Sequence, residues 1–521
     1  AKAAGKIVVC DRGIIARVAK SAEVARAGGV GMILVNVNAA EGLDADVHPV
    51  PTIHVAQSAR SPLRDYATTA GSPTATLLTE DTTGLPATPV PQVAGTSSRG
   101  PALVNGGDLL KPDIIAPGVS IVAAVVPDLF GGDDYNPLSG TSMASPHVAG
   151  LAALVLSAHP TWSPMAVKSA LMTSAVDLFS ADGTKSTNPF HQGAGFVHPT
   201  RALNPGLIYN SGIDDWMAWL EGVGIDTGTG TAAIDPSNFN SPSISIGQLA
   251  GTQTVTRRVT TTAKGTYRAT ASVPGTKITV SPSSLTFAKA GQTKSFKVKI
   301  TRTSAALDTY TTGFLTWKSH SFAVRSPIAV KPVKLSAPEE VHGTGASGTA
   351  TYTVVPGATE SIHVSVGGLV PGQVEAGSIE AGEYLQEPGG NASTAVYRFT
   401  VPDGTRLARF DLVAAEQSHD FDLFVVDPEF TGLVALSASG AADERVDLAD
   451  PEPGEYYVLV NAYSTGEDAK GAFTLRNFAV GETAAGNLTV SPDPIPGVMS
   501  QRTTVSLSWS GLNLGYSRRS D

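Results

Sequence analysis

The chain has 521 residues, 42% of them apolar, with 36 Lys and Arg against 46 Asp and Glu for a net charge of −10. This is material for roughly three to four domains of ~150 residues with packed cores, and it lacks the long basic run of a nucleic-acid binder. One cysteine, Cys10, excludes an intramolecular disulfide framework and a Cys-rich zinc site, and the longest apolar run, residues 148–156, is broken by Gly150 and too short to span a bilayer.

The chain opens on Ala1-Lys2 with no signal-like segment and is expected to be a piece of a longer polypeptide. Residues 7–10 read as a strand, 14–27 as a helix and 32–35 as a second strand, with Gly28, Gly29 and Gly31 punctuating the helix end. That alternation predicts a small α/β unit. Residues 121–126, continuous and β-branched, predict a strand buried on both faces. Residues 145–158, apolar nearly all round, predict a helix inside a large core. Ser163-Pro164 opens another helix through residue 175, with Ser at the cap and Pro in the first turn.

From about residue 243 the pattern changes. Phe296, Val298 and Ile300 alternate with Lys297, Lys299 and Thr301, the period of a strand with one wet face. Short strands at 255–259, 267–273, 278–280, 314–317 and 323–330, separated by Gly, Pro and Ser turns, predict an antiparallel β-sandwich. Residues 336–350, rich in Gly, Ser and Glu, read as a linker. Strands at 397–401, 421–426 and 456–460 predict a second β module. Residues 487–512 read as the start of a further β unit, and 517–521, with no apolar period, as a truncation scar.

The stretch with the most chemistry is Ser139-Gly140-Thr141-Ser142-Met143-Ala144-Ser145-Pro146-His147-Val148-Ala149-Gly150. Ser142 stands where an apolar helix begins. There its own N–H and the positive end of the helix dipole point at whatever its Oγ attacks, which stabilises a developing oxyanion. The plainer alternative is a serine that only caps a helix.

This stretch resembles, without a gap, the nucleophile motif G-T-S-x-A-x-P-H-V-A-G of the subtilisin-like serine proteases, the subtilases. Gly95-Thr96-Ser97-Ser98-Arg99-Gly100-Pro101 and Lys111-Pro112-Asp113-Ile114-Ile115-Ala116-Pro117-Gly118 resemble further segments of that family, as do Gly193-Ala194-Gly195-Phe196-Val197 and Asn204-Pro205-Gly206-Leu207-Ile208-Tyr209. The first region is similar to a protease-associated domain, the third to a fibronectin-III-like domain, and the fourth, at Tyr397-Arg398-Phe399-Thr400-Val401 and Asp420-Phe421-Asp422-Leu423, to a pre-peptidase C-terminal β-sandwich.

The resemblance implies a multidomain chain: a partial protease-associated α/β domain over 1–85, the C-terminal part of a parallel-sheet subtilisin fold over 86–210, and a connector over 211–242. All-β sandwiches at 243–335 and 351–482, joined by the 336–350 linker, and a truncated β module at 483–521 would follow. It further implies a secreted endopeptidase, free or held at the cell wall, acting on proteins or peptides through an acyl-enzyme on Ser142. The Ser142 N–H and the Thr141 hydroxyl would serve an oxyanion hole, and Ser97, Ser98, Gly100 and Gly140 would border the substrate. The β modules would contact polymers or cell surfaces. No cofactor is needed for that chemistry.

The triad aspartate and histidine and the oxyanion asparagine of that family would all precede Ala1, so the chain alone is expected to be inactive. His342-Gly343-Thr344 and Asp226-Thr227-Gly228 imitate the family's His and Asp motifs but follow the serine. His147 lies five residues beyond Ser142, ~7.5 Å along a helix and ~140° past one revolution, and so points elsewhere. It and Asp113 are read as structural. His48, His54, His191 and His198 show no metal spacing. Asp420, Asp422 and Asp427 could accept calcium, but a solvated strand face is the simpler reading. Asn391-Ala392-Ser393 and Asn487-Leu488-Thr489 match the glycosylation sequon. The rival to a protease is a non-catalytic extracellular binding module or pseudoprotease.

Overall fold

The computed structural model describes residues 2–513 apart from 14, 39–40, 44–45, 81, 83, 85–88, 103, 131, 181–182, 339 and 431. Ile14, the expected helix start, and the scar at 517–521 lie outside the described residues. The chain divides into two compact units, Ala1–Ser336 and Ala337–Asp521.

The first unit opens with a parallel sheet in the order β1 (Ile7–Asp11), β2 (Gly31–Val35), β3 (Thr52–Val55), accompanied by α1 (Arg17–Arg26) and α2 (Arg60–Thr69). Val24 of α1 packs on Met32 and Leu34 of β2, with Val8 and Cys10 against them. Gly28 takes φ +79°, a left-handed turn that ends α1 and releases the chain into β2.

Next come an antiparallel pair, β4 (Ile121–Ala124) with β5 (Tyr135–Leu138), and two packed helices, α3 (Thr141–Ala158) and α4 (Pro164–Thr173). The Ser163 Oγ accepts the Ala166 N–H at 3.1 Å and Pro164 occupies the first turn, as the sequence predicts. Eight of the ten α4 residues are buried. Short elements complete this part: β6 (Leu178–Phe179), β7 (Lys185–Ser186), α5 (Pro189–Gln192), α6 (Pro199–Ala202) and β8 (Leu207–Ile208).

Two expectations fail here. The strand expected to be buried on both faces is exposed: among the described residues it pairs only with β5, and Val122 is 67% accessible. The helix expected inside a large core starts at Thr141 rather than 145, and of its residues only Val155 is buried while Leu154 is 59% exposed. The cause is the same for both. Apolarity states that a surface is fit for burial, whereas burial needs a partner, and α3 packs along one stripe through Val148, Leu151, Ala152 and Val155. With 18 residues and a mean hydropathy of 1.2, α3 is also long and apolar enough to cross a bilayer by those measures alone.

The segment 211–242, expected to be a connector, folds into α7 (Ile213–Gly222) and a cluster in which Trp216 and Phe239 ring centroids lie 4.5 Å apart. The sandwich that follows contains β9 (Ile244–Leu249), β10 (Thr252–Thr261), β11 (Gly265–Ser272), β12 (Thr276–Ser281), β13 (Ser284–Phe287), β14 (Thr293–Arg302), β15 (Thr311–Lys318) and β16 (Ala323–Pro332), and the unit ends with β17 (Leu335–Ser336). Its sheets run β12-β14-β10-β8 and β13-β11-β15-β16-β9. All pairs are antiparallel except β16 with β9, which is parallel. Tyr267, Phe296, Leu315, Trp317 and Ile328 fill the space between the sheets, each worth ~1.5–3 kcal/mol in burial.

The second unit is also a sandwich, with sheets β19-β26-β21-β24 and β20-β25-β22-β23. These comprise β19 (Gln373–Ile379), β20 (Thr394–Val401), β21 (Thr405–Ala414), β22 (Asp420–Val426), β23 (Leu433–Ser437), β24 (Glu444–Ala449), β25 (Gly454–Ser464) and β26 (Gly471–Gly481). Phe410, Phe421, Leu423, Val458 and Leu475 form its core. Beside it, β18 (Gly348–Pro356) pairs with β28 (Thr503–Trp509), which pairs with β27 (Leu488–Ser491). The stretch read as opening a further β unit thus pairs with β18, which begins in the last residues of the expected linker and runs into the expected second β module. Gly343 and Gly348 lie so close to the Trp509 ring that a Cβ on either would fall within 2.4 Å of it.

Candidate active site

Ser142 occupies the second position of α3. Gly140, extended at φ 162° and ψ 164°, delivers the chain into the helix, and intrahelical bonding starts with the Met143 and Ala144 N–H groups, both on the Gly140 carbonyl. The Thr141 and Ser142 N–H groups come before that point, where a helix presents unpaired donors and its positive dipole end. The Ser142 side chain is exposed.

Two contacts hold this turn in place. The Gly140 N–H donates to the Gly118 carbonyl at 2.8 Å, and the Ser120 N–H donates to Ser139 Oγ at 2.9 Å. Gly118 has to be glycine: a Cβ there would stand 2.8 Å from the Gly140 carbonyl oxygen and 3.2 Å from Ala144 Cβ. Pro146, inside α3, has no N–H to return to the Ser142 carbonyl.

Along this turn runs a cavity of about 720 Å³ whose walls include Ser97, Gly140 and Thr141 together with Ile114, Pro117 and Val148. The structure thereby brings together three of the six residues expected at the site. Ser142 lies in the same helical turn outside the lining, and Ser98 is exposed outside it. Gly100 faces away: its N–H donates to the Phe190 carbonyl at 2.9 Å, and a Cβ would sit 2.2 Å from the Lys111 carbonyl oxygen. The apolar wall from 114 to 119 and the segment 90–94 also line this cavity, although the sequence reading did not place them at the site. The one available signal was the Lys111–Gly118 segment, through its resemblance.

No histidine or carboxylate is bonded to Ser142 among the described residues. His147 Nδ1 donates to the Met143 carbonyl of its own helix at 2.8 Å. Asp113 is bound by Lys111 at 2.6 Å and Lys168 at 2.9 Å. Burial opposes its ionisation, but the two ammonium groups outweigh burial and hold the carboxyl below its ordinary range. Asp226 Oδ1 accepts the Gly228 N–H at 2.8 Å in a local turn, and His342 is an exposed side chain 3.9 Å from Glu340.

The other histidines are engaged locally. His48 Nδ1 meets Ser21 Oγ at 2.8 Å and His54 Nε2 meets Asn36 Oδ1 at 2.6 Å. Ser21 is buried and gives its own proton to the Val18 carbonyl, so that Ser-His pair is structural. His198 Nδ1 faces Thr200 Oγ1 at 3.2 Å, and burial, helped by Arg99, pushes the His191 pKa down. Asp422, on the outer face of β22, has its pKa raised by burial and by neighbouring Asp420 and Glu444. Among the described residues no group of three His, Cys, Asp or Glu is placed to hold a metal ion. Asn391 Oδ1 accepts the Ser393 N–H at 2.9 Å, and Asn487 bonds the Leu369 N–H and carbonyl, each at 2.8 Å.

A sequence profile of the subtilase family matches residues 39–195, a PA-domain profile residues 1–63, a fibronectin type-III profile residues 238–330 and a bacterial pre-peptidase C-terminal profile residues 393–462. The chain is 40% identical over 363 residues to subtilisin-like protease SBT1.7 of Arabidopsis thaliana and 38% identical over 363 residues to SBT1.3 of the same plant. These alignments cover 63% of this chain and 48% and 46% of the two proteins, so the chain spans about half the length of the curated relatives it matches. Among solved structures, the pre-peptidase C-terminal domain of a Bacillus anthracis collagenase aligns at 16% identity over 21% of this chain and 92% of that one, with a TM-score of 0.17. Tripeptidyl peptidase 2 aligns at 14% identity over 88% and 36%, with a TM-score of 0.26. Both likenesses are too loose to bear on the fold. Residues 39–195 are thus similar to the subtilase family, and the rest of the chain to PA, fibronectin type-III and pre-peptidase C-terminal domains.

Proposed function

We propose that the protein acts as a secreted subtilisin-like serine endopeptidase in which Ser142 is the nucleophile and the general base and its orienting acid come from residues other than those of this chain. The observation that carries the reading is the place of Ser142 in the first turn of α3, its N–H ahead of the first intrahelical bond and a substrate-sized cavity alongside. Ser142 Oγ would attack the scissile carbonyl as its proton passes to the base. The oxyanion would be met by the Ser142 N–H and the helix dipole, with the Thr141 hydroxyl supporting them. Collapse would expel the amine, which takes the proton, and water would then cleave the acyl-enzyme. Ser97, Gly140 and Thr141 would border the bound peptide.

Without a base, such a serine loses about 10⁶-fold in kcat, so negligible casein hydrolysis is expected of the 521-residue chain. An active-site-serine phosphonate probe tests the nucleophile on a longer polypeptide that includes this chain. Labelling at Ser142 that disappears in Ser142→Ala supports the reading; equal labelling of both overturns it, as would robust turnover by the 521-residue chain. The second reading, a non-catalytic extracellular binding module, draws on the lack of any histidine or carboxylate bonded to Ser142 among the described residues. A longer polypeptide that neither labels nor hydrolyses would put it first.

A further inference from the structure

Strands β12, β14 and β10 lie side by side in one sheet and together carry seven Lys and Arg and no Asp or Glu. In a chain of net charge −10 this is a local reversal of sign. Strand alternation sorts these cations. Phe296, Val298 and Ile300 point into the core, so Lys297 and Lys299 stand on the outer face. The register places Thr256 beside Lys297, sets Lys299 between Thr254 and Thr279, and puts Lys277 two residues from Thr279 on the same face. Opposed residues stand about 5 Å apart and alternate residues ~7 Å apart along a strand. The result is an open field of ammonium groups interleaved with hydroxyls. Lys277, Lys297 and Lys299 are exposed and take part in no ion pair among the described residues.

One end of this face opens into a cavity of about 630 Å³ that Thr254, Thr256, Arg258 and Lys297 help to line, with Arg257 behind them. Arg257 is 2% exposed. Its guanidinium donates to the carbonyls of Ser241, Thr256 and Ser243 at 3.2, 3.0 and 3.1 Å, and no carboxylate lies within ion-pair distance among the described residues. Burial pushes its pKa down to about 10, against the pull of Tyr209 and Asp235, so it stays charged at neutral pH. Two carboxylates do line the cavity, but each is engaged: Asp215 by Arg258 and the Gly212 N–H, Asp235 by Ser237 and Gln253. By the same alternation Arg257 faces inward with Val255 and Val259, opposite Phe296, so it stands behind the lysine face as a fixed positive charge and not as a contact.

We propose that the outer face of β12, β14 and β10, together with the cavity at its end, binds a linear acidic polysaccharide. Its carboxylate or sulfate groups lie over Lys277, Lys297 and Lys299, and the threonine hydroxyls bond the sugar hydroxyls. The face offers no aromatic platform of the kind on which single-stranded bases stack, and no apolar anchor of the kind that dominates protein interfaces. Hydroxyl-rich and cationic, it fits a charged sugar chain.

The test measures fluorescence anisotropy of labelled polygalacturonate and labelled dextran sulfate with the 521-residue chain, using neutral dextran and duplex DNA as comparators. At least one acidic polymer is expected to bind, with affinity falling as salt rises, while neutral dextran does not. Which of the two binds tells carboxylate from sulfate recognition. The triple variant K277Q/K297Q/K299Q is expected to weaken binding about tenfold or more at an unchanged unfolding midpoint, since all three side chains are exposed. Failure of both acidic polymers to bind, equal binding of neutral dextran, tighter binding of DNA, or parental affinity in the triple variant would each overturn the proposal. The readout is binding and not hydrolysis, so it is independent of the protease reading.

Discussion

Arg325 of β16 donates to Asp177 Oδ1 across 2.5 Å and to the Ala194 carbonyl across 2.9 Å, tying the fibronectin-type sandwich to the subtilase segment through residues 148 positions apart. Both side chains are largely buried, and the guanidinium also lies 4.4 Å from the Phe314 ring centroid. Gly195 leaves the room for it, since a Cβ there would stand 3.2 Å from the Arg325 nitrogen. Removing Arg325 strands a buried carboxylate, which costs more than the pair itself contributes. Arg325→Met is therefore expected to lower the stability of the first unit by about 3 kcal/mol, read as a fall in the urea midpoint. A midpoint within experimental error of the parent would show that the tie is dispensable.

A pH-dependent contact lies nearby. The Gly247 N–H of β9 donates to Asp108 Oδ1 at 2.8 Å, and Ser245 Oγ donates to the Gly107 carbonyl at 2.6 Å. Burial, with a smaller push from Asp235, lifts the Asp108 pKa from 3.8 to about 7 despite the Gly247 bond. The sign follows. Between these two values the folded chain holds a proton that the unfolded chain has lost, so stability falls as pH rises from about 4 to about 7 and is then level. Asp108→Asn, neutral at every pH, is expected to match the parent near pH 4 and to exceed it above pH 7, by no more than about 4 kcal/mol. Denaturant midpoints measured across that range decide it; a variant no more stable than the parent at pH 8 would count against the raised pKa.

Two glycine replacements should move in opposite directions. At Gly247 a Cβ would fall 1.6 Å from the Gly106 carbonyl oxygen, so Gly247→Ala has to displace the 106–108 turn and is expected to cost about 2–3 kcal/mol. It should also blunt the Asp108 pH dependence, because the same turn carries that carboxylate. Gly150 in α3 has nothing within 4 Å of its would-be Cβ. Gly150→Ala should therefore stabilise by about 0.5–1 kcal/mol through helix propensity. Thermal midpoints that shift in the same direction for both would sink the argument.

His147 offers a test of what lies near Ser142 without being its base. Its ring bonds the Met143 carbonyl, so His147→Ala is expected to cost about 1 kcal/mol of stability. Phosphonate labelling of Ser142 in the longer polypeptide should stay within about tenfold of the parent, whereas loss of the true base should cost about 10⁶-fold. A collapse of labelling on that larger scale would make His147 catalytic after all.

Much of the architecture could be read from local pattern. The alternation of Phe296, Val298 and Ile300 with lysines was a correct statement about which face is wet, because a strand's period of two fixes sidedness without knowing the partner sheet. Ser163-Pro164 marked a helix start because capping depends on neighbouring residues alone. The Gly140–Ser142 turn was legible for the same reason: a short-range motif specifies a short-range geometry.

Local pattern alone thus fixed the kind of those elements with a clear period or cap, the sidedness of their strands and the position of Ser142 at a helix start, while α7 in the expected connector escaped it. Tertiary structure alone decided who covers whom. It left α3 and β4 exposed, closed residues 503–509 on 348–356, turned Gly100 from the cavity toward Lys111, and set buried Arg257 on backbone carbonyls behind a face of lysines. Those outcomes depend on residues tens to hundreds of positions apart, and periodicity carries no information about which distant surface arrives to meet a given one.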